Sequence, residues 1–164
     1  MAATSNAEIA RLVEGWTVPR RFLATVAGNG DAPALRWQED DGFAVMSFAA
    51  YAERAARVAA ALAALGVRRG TRVAMLVGNR PEFHIADMAI MFTGATPVSI
   101  YNSSSPEQIA SLARHCGAEV ILVEHEEYLQ RVLKVRDQLA DVRHLVVVDA
   151  PRPARPRVSS RGTT

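Results

Sequence analysis

The stretch GVRRGTRVAMLVGNRPEFHIADMAIMFTGATPVSIYNSSSPEQ, residues 66–108, decides the fold class. A β-rich apolar run, Arg72 to Val77, ends at Gly78-Asn79. Pro81 follows at the place where a first helical turn would begin, and there its missing N–H costs nothing. From Phe83 to Phe92 the chain is apolar nearly all round, with His84 and Asp87 the only polar breaks. A helix of that kind is buried on most faces. Gly94 ends it, and Thr96 to Tyr101 reads as a second strand. Strand, buried helix and strand make a parallel crossover unit, which should be right-handed.

The pattern continues downstream. Ser105-Pro106-Glu107-Gln108 is a capping box with proline at the first helical position. Ile109, Leu112, Ala113 and Cys116 make the apolar stripe of that helix, and Gly117 closes it. Glu119 to Val123 is a strand, Glu126 to Ala140 a helix with Tyr128, Leu129, Val132, Leu133 and Leu139 inward, and His144 to Val148 a last strand. This alternation predicts an α/β fold: an open, mostly parallel sheet flanked by helices.

Upstream, a short helix is expected around Glu8 to Val13, then a helix that Thr17 caps and Pro19 enters, with Phe22, Leu23 and Val26 on one face. Gly28-Asn29-Gly30-Asp31 reads as a loop. Ala34 to Trp37 and Phe43 to Phe48, joined across Glu39-Asp40-Asp41-Gly42, predict a short N-terminal hairpin. Ser47 then caps a long helix on which Tyr51, Ala55, Val58, Leu62 and Leu65 recur at helical spacing and which Gly66 ends.

Composition sets the bounds. The chain has 164 residues, 49% apolar and 22% charged, enough for one domain with a real core. The net charge of +2 misleads. Arg152, Arg155, Arg157 and Arg161 all follow Asp149 with no acid among them; without those four, 15 basic residues face 17 acidic ones, a net −2 for residues 1–149. No basic stripe with interleaved aromatics occurs in that body, so nucleic acid is not an expected partner. Cys116 is the only cysteine and fits a reducing compartment, which with the lack of a secretory leader predicts a cytoplasmic protein. Asp87, Gly94 and Pro97 interrupt the one apolar stretch long enough to be weighed as a membrane span, Phe83 to Ile100, and no transmembrane segment is expected.

GVRRGTRVAMLVGNRPEF and GATPVSIYNSSSPEQIASLARHCGA, residues 66–83 and 94–118, resemble the N-terminal domain of AMP-forming acyl-CoA synthetases, the adenylate-forming superfamily, and its long-chain fatty-acyl-CoA ligase branch in particular. Thr17-Val18-Pro19 is similar to the opening of the same ligases. The resemblance implies that residues 1–149 are part of an AMP-dependent synthetase/ligase N-terminal domain. It implies an intact enzyme that uses ATP, Mg²⁺ and CoA to convert a fatty acid to its acyl-CoA, with AMP and pyrophosphate as products, and allows peripheral membrane contact. The family's phosphate loop, adenine-binding motif, ribose-binding Asp and C-terminal Lys are not found in this sequence. Ser159 to Thr164 is similar to the start of a phosphate loop but carries an inserted Arg161 and stops before the Gly and Lys. No catalytic residue, cofactor or metal ligand is therefore expected in this chain, and it should be inactive alone. Two alternatives stay open: a standalone non-catalytic α/β module binding CoA or a partner protein, and a truncated gene product without function.

The candidate binding residues are Tyr101, Asn102 and Ser103, in a loop after a parallel strand and before a capped helix, where ligands of open α/β sheets bind. The resemblance implies that this loop approaches CoA and that Arg131 lies near the CoA nucleotide phosphate. His84 is expected to be a hydrogen-bonded core histidine that Asp87 can pair with one turn on. His115 and Cys116 point about 100° apart on their helix and do not form a nucleophile pair.

Residues 150–164, APRPARPRVSSRGTT, lack any apolar periodicity, and ordering them would cost ~1–2 kcal/mol per residue with little burial to offset it. They are expected to be a disordered tail. Limited trypsin digestion should cut at the tail arginines first and leave the body to about Asp149 resistant; early cleavage within residues 70–148 with the tail intact would reverse this assignment.

Overall fold

The computed structural model describes residues 5–40 and 42–149. The expected disordered tail, residues 150–164, lies outside the described residues, as do Asp41 and the first four positions.

Helices α1 (Asn6–Val13) and α2 (Val18–Asn29) lead into a hairpin of β1 (Pro33–Glu39) and β2 (Gly42–Ser47). Helix α3 (Phe48–Ala64) follows, then β3 (Arg72–Leu76), α4 (Pro81–Phe92), β4 (Thr96–Ser99), α5 (Pro106–Cys116), β5 (Val120–Val123), α6 (Glu126–Leu133) and β6 (His144–Val147). The hairpin is antiparallel and stands as its own two-stranded sheet, pairing Trp37 with Ala44 and Glu39 with Gly42. The main sheet has four parallel strands in the order β4-β3-β5-β6. The expected α/β architecture, parallel sheet, flanking helices and N-terminal hairpin are all present.

The two faces of the sheet bury alternate residues of the same strands, as the pleat requires. Val73, Met75, Val120 and Leu122 face one core, which α4 covers with Ile85, Ala86, Met88, Ala89 and Ile90, and which α2 and α3 close from outside with Phe22, Tyr51, Ala55 and Leu62. Ala74, Leu76, Ile121 and Val123 face the other, filled by Ile109, Ala110 and Ala113 of α5 and Val132 of α6. Central strands buried on both faces carry unbroken apolar runs. That is why β3 and β5 read as VAML and VILV.

Local chemistry sets the ends of the elements. Ser47 accepts from the Ala50 N–H, Thr17 from Arg20, and Ser105 from Gln108, whose side chain returns to the Ser105 N–H. A capping box at Ser5 and Glu8, unanticipated from the sequence, starts α1. The helices that precede β3, β4 and β5 close with one device. After α4, Gly94 N–H bonds to Met91 C=O and Ala95 N–H to Ile90 C=O; after α5, Gly117 bonds to Arg114 and Ala118 to Ala113; after α3, Gly66 and Val67 repeat the pair on Ala63 and Leu62. The residue after the glycine, Val67, Ala95 or Ala118, is buried each time. This is the Schellman turn with its apolar contact.

At the outer edge, the N–H groups of Thr96 and Ile100 reach across to Thr71 and Met75. The alternate residue Pro97 therefore turns its nitrogen away from β3 and removes no bond from the ladder.

Four expectations are corrected. Helix α2 continues through Gly28 and Asn29, and the Gly30 C=O accepts from the Ala49 N–H, which ties that end to the start of α3. The helix expected to run from Glu126 to Ala140 stops at Leu133, and a single 3₁₀ turn at Arg136–Gln138 follows. Arg136 donates to the carbonyls of Leu139 and Val142 at 2.7 and 2.8 Å, while Val135, Leu139 and Val142 are all buried, so the chain folds back onto the core rather than extending along an axis. Leu65, Leu112 and Leu133, assigned to buried stripes, are instead 39–43% exposed. Leu112 and Leu133 sit at the flank of their helices, where small or β-branched neighbours (Ala110, Ala113, Val132) fill the narrow space above the sheet, and Leu65 is the cap residue beyond the end of α3. Phe48 belongs to α3, not to the hairpin, because Ser47 both ends β2 and caps the helix.

Two glycine substitutions should have opposite signs. Gly117 has φ +64°, and a Cβ there would lie 2.8 Å from the Arg72 guanidinium, so Gly117→Ala should lower stability by about 1–2 kcal/mol. Gly28 is helical with no atom near a built Cβ, so Gly28→Ala should raise stability by about 0.5–1 kcal/mol. Urea midpoints of the two variants test both.

Candidate functional site

The connections that leave the C-terminal ends of the strands diverge. From β3 the chain passes through Val77–Arg80 to α4 on one face, whereas β4 and β5 lead to α5 and α6 on the other. Crevices therefore open on both sides of β3, and in sheets of this type ligands bind at such points.

The crevice between β3 and β5 is filled by an ionic cluster. The Glu124 carboxylate accepts from the Gly78 N–H at 2.6 Å and from Arg80 Nη1 at 3.3 Å. Arg80 Nε donates to Glu82 at 2.7 Å, and Nη1 also to the Asp149 carboxylate. Backbone bonds from Glu124 N–H to Leu76 C=O and from Asp149 N–H to Glu124 C=O tie the same three strand ends together. A Cβ on Gly78 would come 2.8 Å from the Glu124 carboxylate and would displace it from this approach.

The crevice between β3 and β4 is open. It has a volume of about 640 Å³ and is lined by Val77, Asn79, Phe83 and the run Ser99 to Ser103. Its outer wall is a turn, Tyr101 to Ser104, closed by a bond from Ser104 N–H to Tyr101 C=O at 2.9 Å. Ser104 is buried beneath it, and Tyr101 at its corner is 85% exposed.

The structure brings the four sequence-derived candidates together. Tyr101, Asn102 and Ser103 line the open crevice. Arg131, from the second turn of α6, donates Nη1 to the Asn102 C=O at 2.6 Å. Its Nη2 bonds Glu127 one turn earlier, and its guanidinium lies 4.8 Å from the centre of the Tyr128 ring. Sequence reading missed Asn79 and Phe83 as lining residues and Arg80 and Glu124 as the cluster beside them. A carboxylate directly after the apolar run VILV, and an arginine before the helix-entry proline, were the available signals.

His84 is half-buried rather than a core residue with side-chain bonds. Its backbone carbonyl takes the Tyr51 hydroxyl at 2.7 Å, and its ring stands edge-on to Phe83. Burial, with Asp87 nearby, pushes the Tyr51 hydroxyl up to about 12. Burial also raises the Asp87 carboxyl, against the opposing pull of His84. Cys116 donates to the Ala113 carbonyl of its own helix, apart from His115. Among the described residues no grouping of three His, Cys, Asp or Glu side chains is disposed to hold a metal, and no helix is long and apolar enough to cross a membrane.

The family profile described as AMP-binding enzyme matches residues 22–162. The chain is 38% identical over 141 residues to the uncharacterized protein Rv1549 of Mycobacterium tuberculosis, covering 86% of this chain and 77% of that one. It is 32% identical over 138 residues to the human long-chain-fatty-acid–CoA ligase ACSBG1, covering 84% of this chain but 19% of the ligase. Among solved structures, the anthranilate CoA ligase AuaEII in complex with anthranoyl-AMP matches 80% of this chain and 25% of its own, with a TM-score of 0.72 and 27% identity. The N-terminal domain of FACL13 from Mycobacterium tuberculosis shares the fold, at a TM-score of 0.73 and 21% identity, over 86% of this chain and 38% of that domain.

The raised Asp87 carboxyl gives a signed pH prediction. The unfolded chain releases this proton more readily than the folded one, so Asp87 costs stability as pH rises above its ordinary 3.8. Asp87→Asn should melt higher than the parent at pH 7, and the advantage should vanish as pH falls below that value; an unchanged or lower melting temperature at pH 7 would contradict it.

Proposed function

This chain belongs to the AMP-binding enzyme family, and from that premise we propose that it supplies the N-terminal part of a long-chain fatty-acid–CoA ligase. In that reaction a carboxylate oxygen attacks the α-phosphorus of ATP and displaces pyrophosphate. The CoA thiol then attacks the acyl carbon, the C–O bond to the phosphate breaks, and AMP leaves. The observation that carries this reading is the continuous match to the long-chain ligases over 84% of this chain, together with an open crevice at the strand ends inside the matched region.

Such chemistry needs donors for the phosphates, and enzymes of this kind supply them from preorganised N–H groups, cations and Mg²⁺. The carboxylates at the strand ends, Glu82, Glu124 and Asp149, are paired to Arg80, and among the described residues no grouping of three His, Cys, Asp or Glu side chains fits a Mg²⁺ site. We assign ATP and Mg²⁺ binding to parts of the longer ligases that this chain does not match. Its own contribution is the crevice wall. Tyr101 offers an exposed ring, Asn102 an amide and Ser103 a hydroxyl to the CoA arm, and Arg131 backs them. We place the protein in the cytoplasm. Peripheral membrane contact would fall on the apolar side chains that α1 and the start of α2 leave exposed, Leu12, Val13, Trp16 and Val18.

A second reading is a standalone non-catalytic module that binds CoA. It draws support from the match to Rv1549, of which this chain covers 77%. Both readings predict no acyl-adenylate formation by the chain alone. Palmitate-dependent ATP–pyrophosphate exchange should not exceed a heat-killed control, and titration calorimetry with CoA should give binding that Tyr101→Ala weakens at least severalfold. Exchange above the control would make the chain an enzyme by itself; no CoA binding would remove the site assignment.

A further inference from the structure

We propose that Arg131 is a positioning residue that sets the Tyr101–Ser104 turn, and not a ligand of the CoA phosphate. In a turn closed by Ser104 N–H on Tyr101 C=O, the carbonyl of the second residue has no partner within the turn. That carbonyl is Asn102 C=O, and Arg131 Nη1 takes it at 2.6 Å from 29 positions along the chain.

Two further contacts fix the guanidinium. The Glu127 carboxylate accepts from Nη2 at 2.5 Å, the Tyr128 ring lies 4.8 Å beneath, and the side chain is 29% exposed. The Arg131 hydrogen bond also lowers the Glu127 carboxyl from its ordinary value. A phosphate approaching this guanidinium would meet the Glu127 carboxylate already bonded to it, and two anions would compete for one cation. A carbonyl carries no net charge and fits beside that carboxylate. The fork geometry is specific to arginine, since a lysine nitrogen is a single point of charge that cannot hold Asn102 and Glu127 in one plane. The chain thus runs from Glu127 through Arg131 to the backbone of Asn102, and from there to the directions in which Tyr101 and Ser103 face the crevice.

The consequence for CoA rests on the proposed function, and the test separates the two. Hydrogen exchange of the Ser104 amide is followed in the full chain without ligand. Arg131→Met keeps the aliphatic stem, and Arg131→Lys and Glu127→Gln serve as milder variants. Loss of a hydrogen bond of ordinary strength should speed Ser104 exchange about fivefold in Arg131→Met, with Lys giving little rescue, while amides of β3 and β5 keep their protection. Binding of CoA and of 3′-dephospho-CoA is then compared by calorimetry. Positioning predicts that Arg131→Met weakens both by the same factor. Unchanged Ser104 exchange, or a loss confined to CoA with 3′-dephospho-CoA unaffected, would overturn the proposal. If the parent chain binds neither compound, the CoA assignment fails, and the exchange data still decide whether Arg131 holds the turn. Should Arg131→Met not fold, Arg131→Lys and Glu127→Gln carry the exchange measurement.

Discussion

A single carboxylate organises the working end of this sheet. Glu124 stands one residue past β5 and reaches the backbone N–H of Gly78, two residues past β3. A side chain at position 78 would push the Glu124 carboxylate out of this contact. Glu124 also neutralises Arg80, which gathers Glu82 and Asp149. Half-buried ion pairs add modest stability. The larger effect is geometric. The cluster seals the crevice on one side of β3, while the crevice on the other side, beside β4, stays open.

That asymmetry follows from the order of the strands. The chain steps outward from β3 to β4 over one face, then crosses β3 on the other face to reach β5 and β6. Right-handed crossovers in opposite directions must put their helices on opposite faces. The loops after β3 and β4 are thereby pulled apart, and the turn at Tyr101–Ser104 has no neighbour on its crevice side. Arg131 holds it from behind, so a polar connection that would otherwise be one of the softer parts of the fold is braced by α6.

Much of this was legible in the residues. Each strand of the main sheet was placed to within one or two residues, because buried parallel strands are short apolar runs bounded by glycine, proline or charge. The caps at Thr17, Ser47 and Ser105 were legible because a side-chain oxygen three residues before a free N–H is a local matter. What failed was non-local. Helical periodicity marked Leu112 and Leu133 as inward, but how wide a stripe is covered depends on how closely the helix lies on the sheet, and alanines let α5 lie close. The break after Leu133 depends on Arg136 finding the carbonyls of Leu139 and Val142. At the site, strand-end logic found Tyr101, Asn102 and Ser103. Arg80 and Glu124 belong to pairings between strand ends across 44 to 69 positions, and Asn79 and Phe83 line a crevice whose other wall is Ser99 to Ser103, which spacing along the chain does not encode.

The two margins of the parallel sheet are not equivalent. Pro97 sits in the middle of β4 with its nitrogen turned outward, so an incoming strand would find a ring where it needs a donor. The other margin, β6, is His144-Leu145-Val146-Val147, with no proline and every amide intact. The sheet is therefore a template with a direction: strand addition is blocked beyond β4 and permitted beyond β6. Any enlargement of this fold by further strands, within a longer polypeptide or between chains, has one side from which to grow, and the crevice at Tyr101 lies toward the side that stays closed.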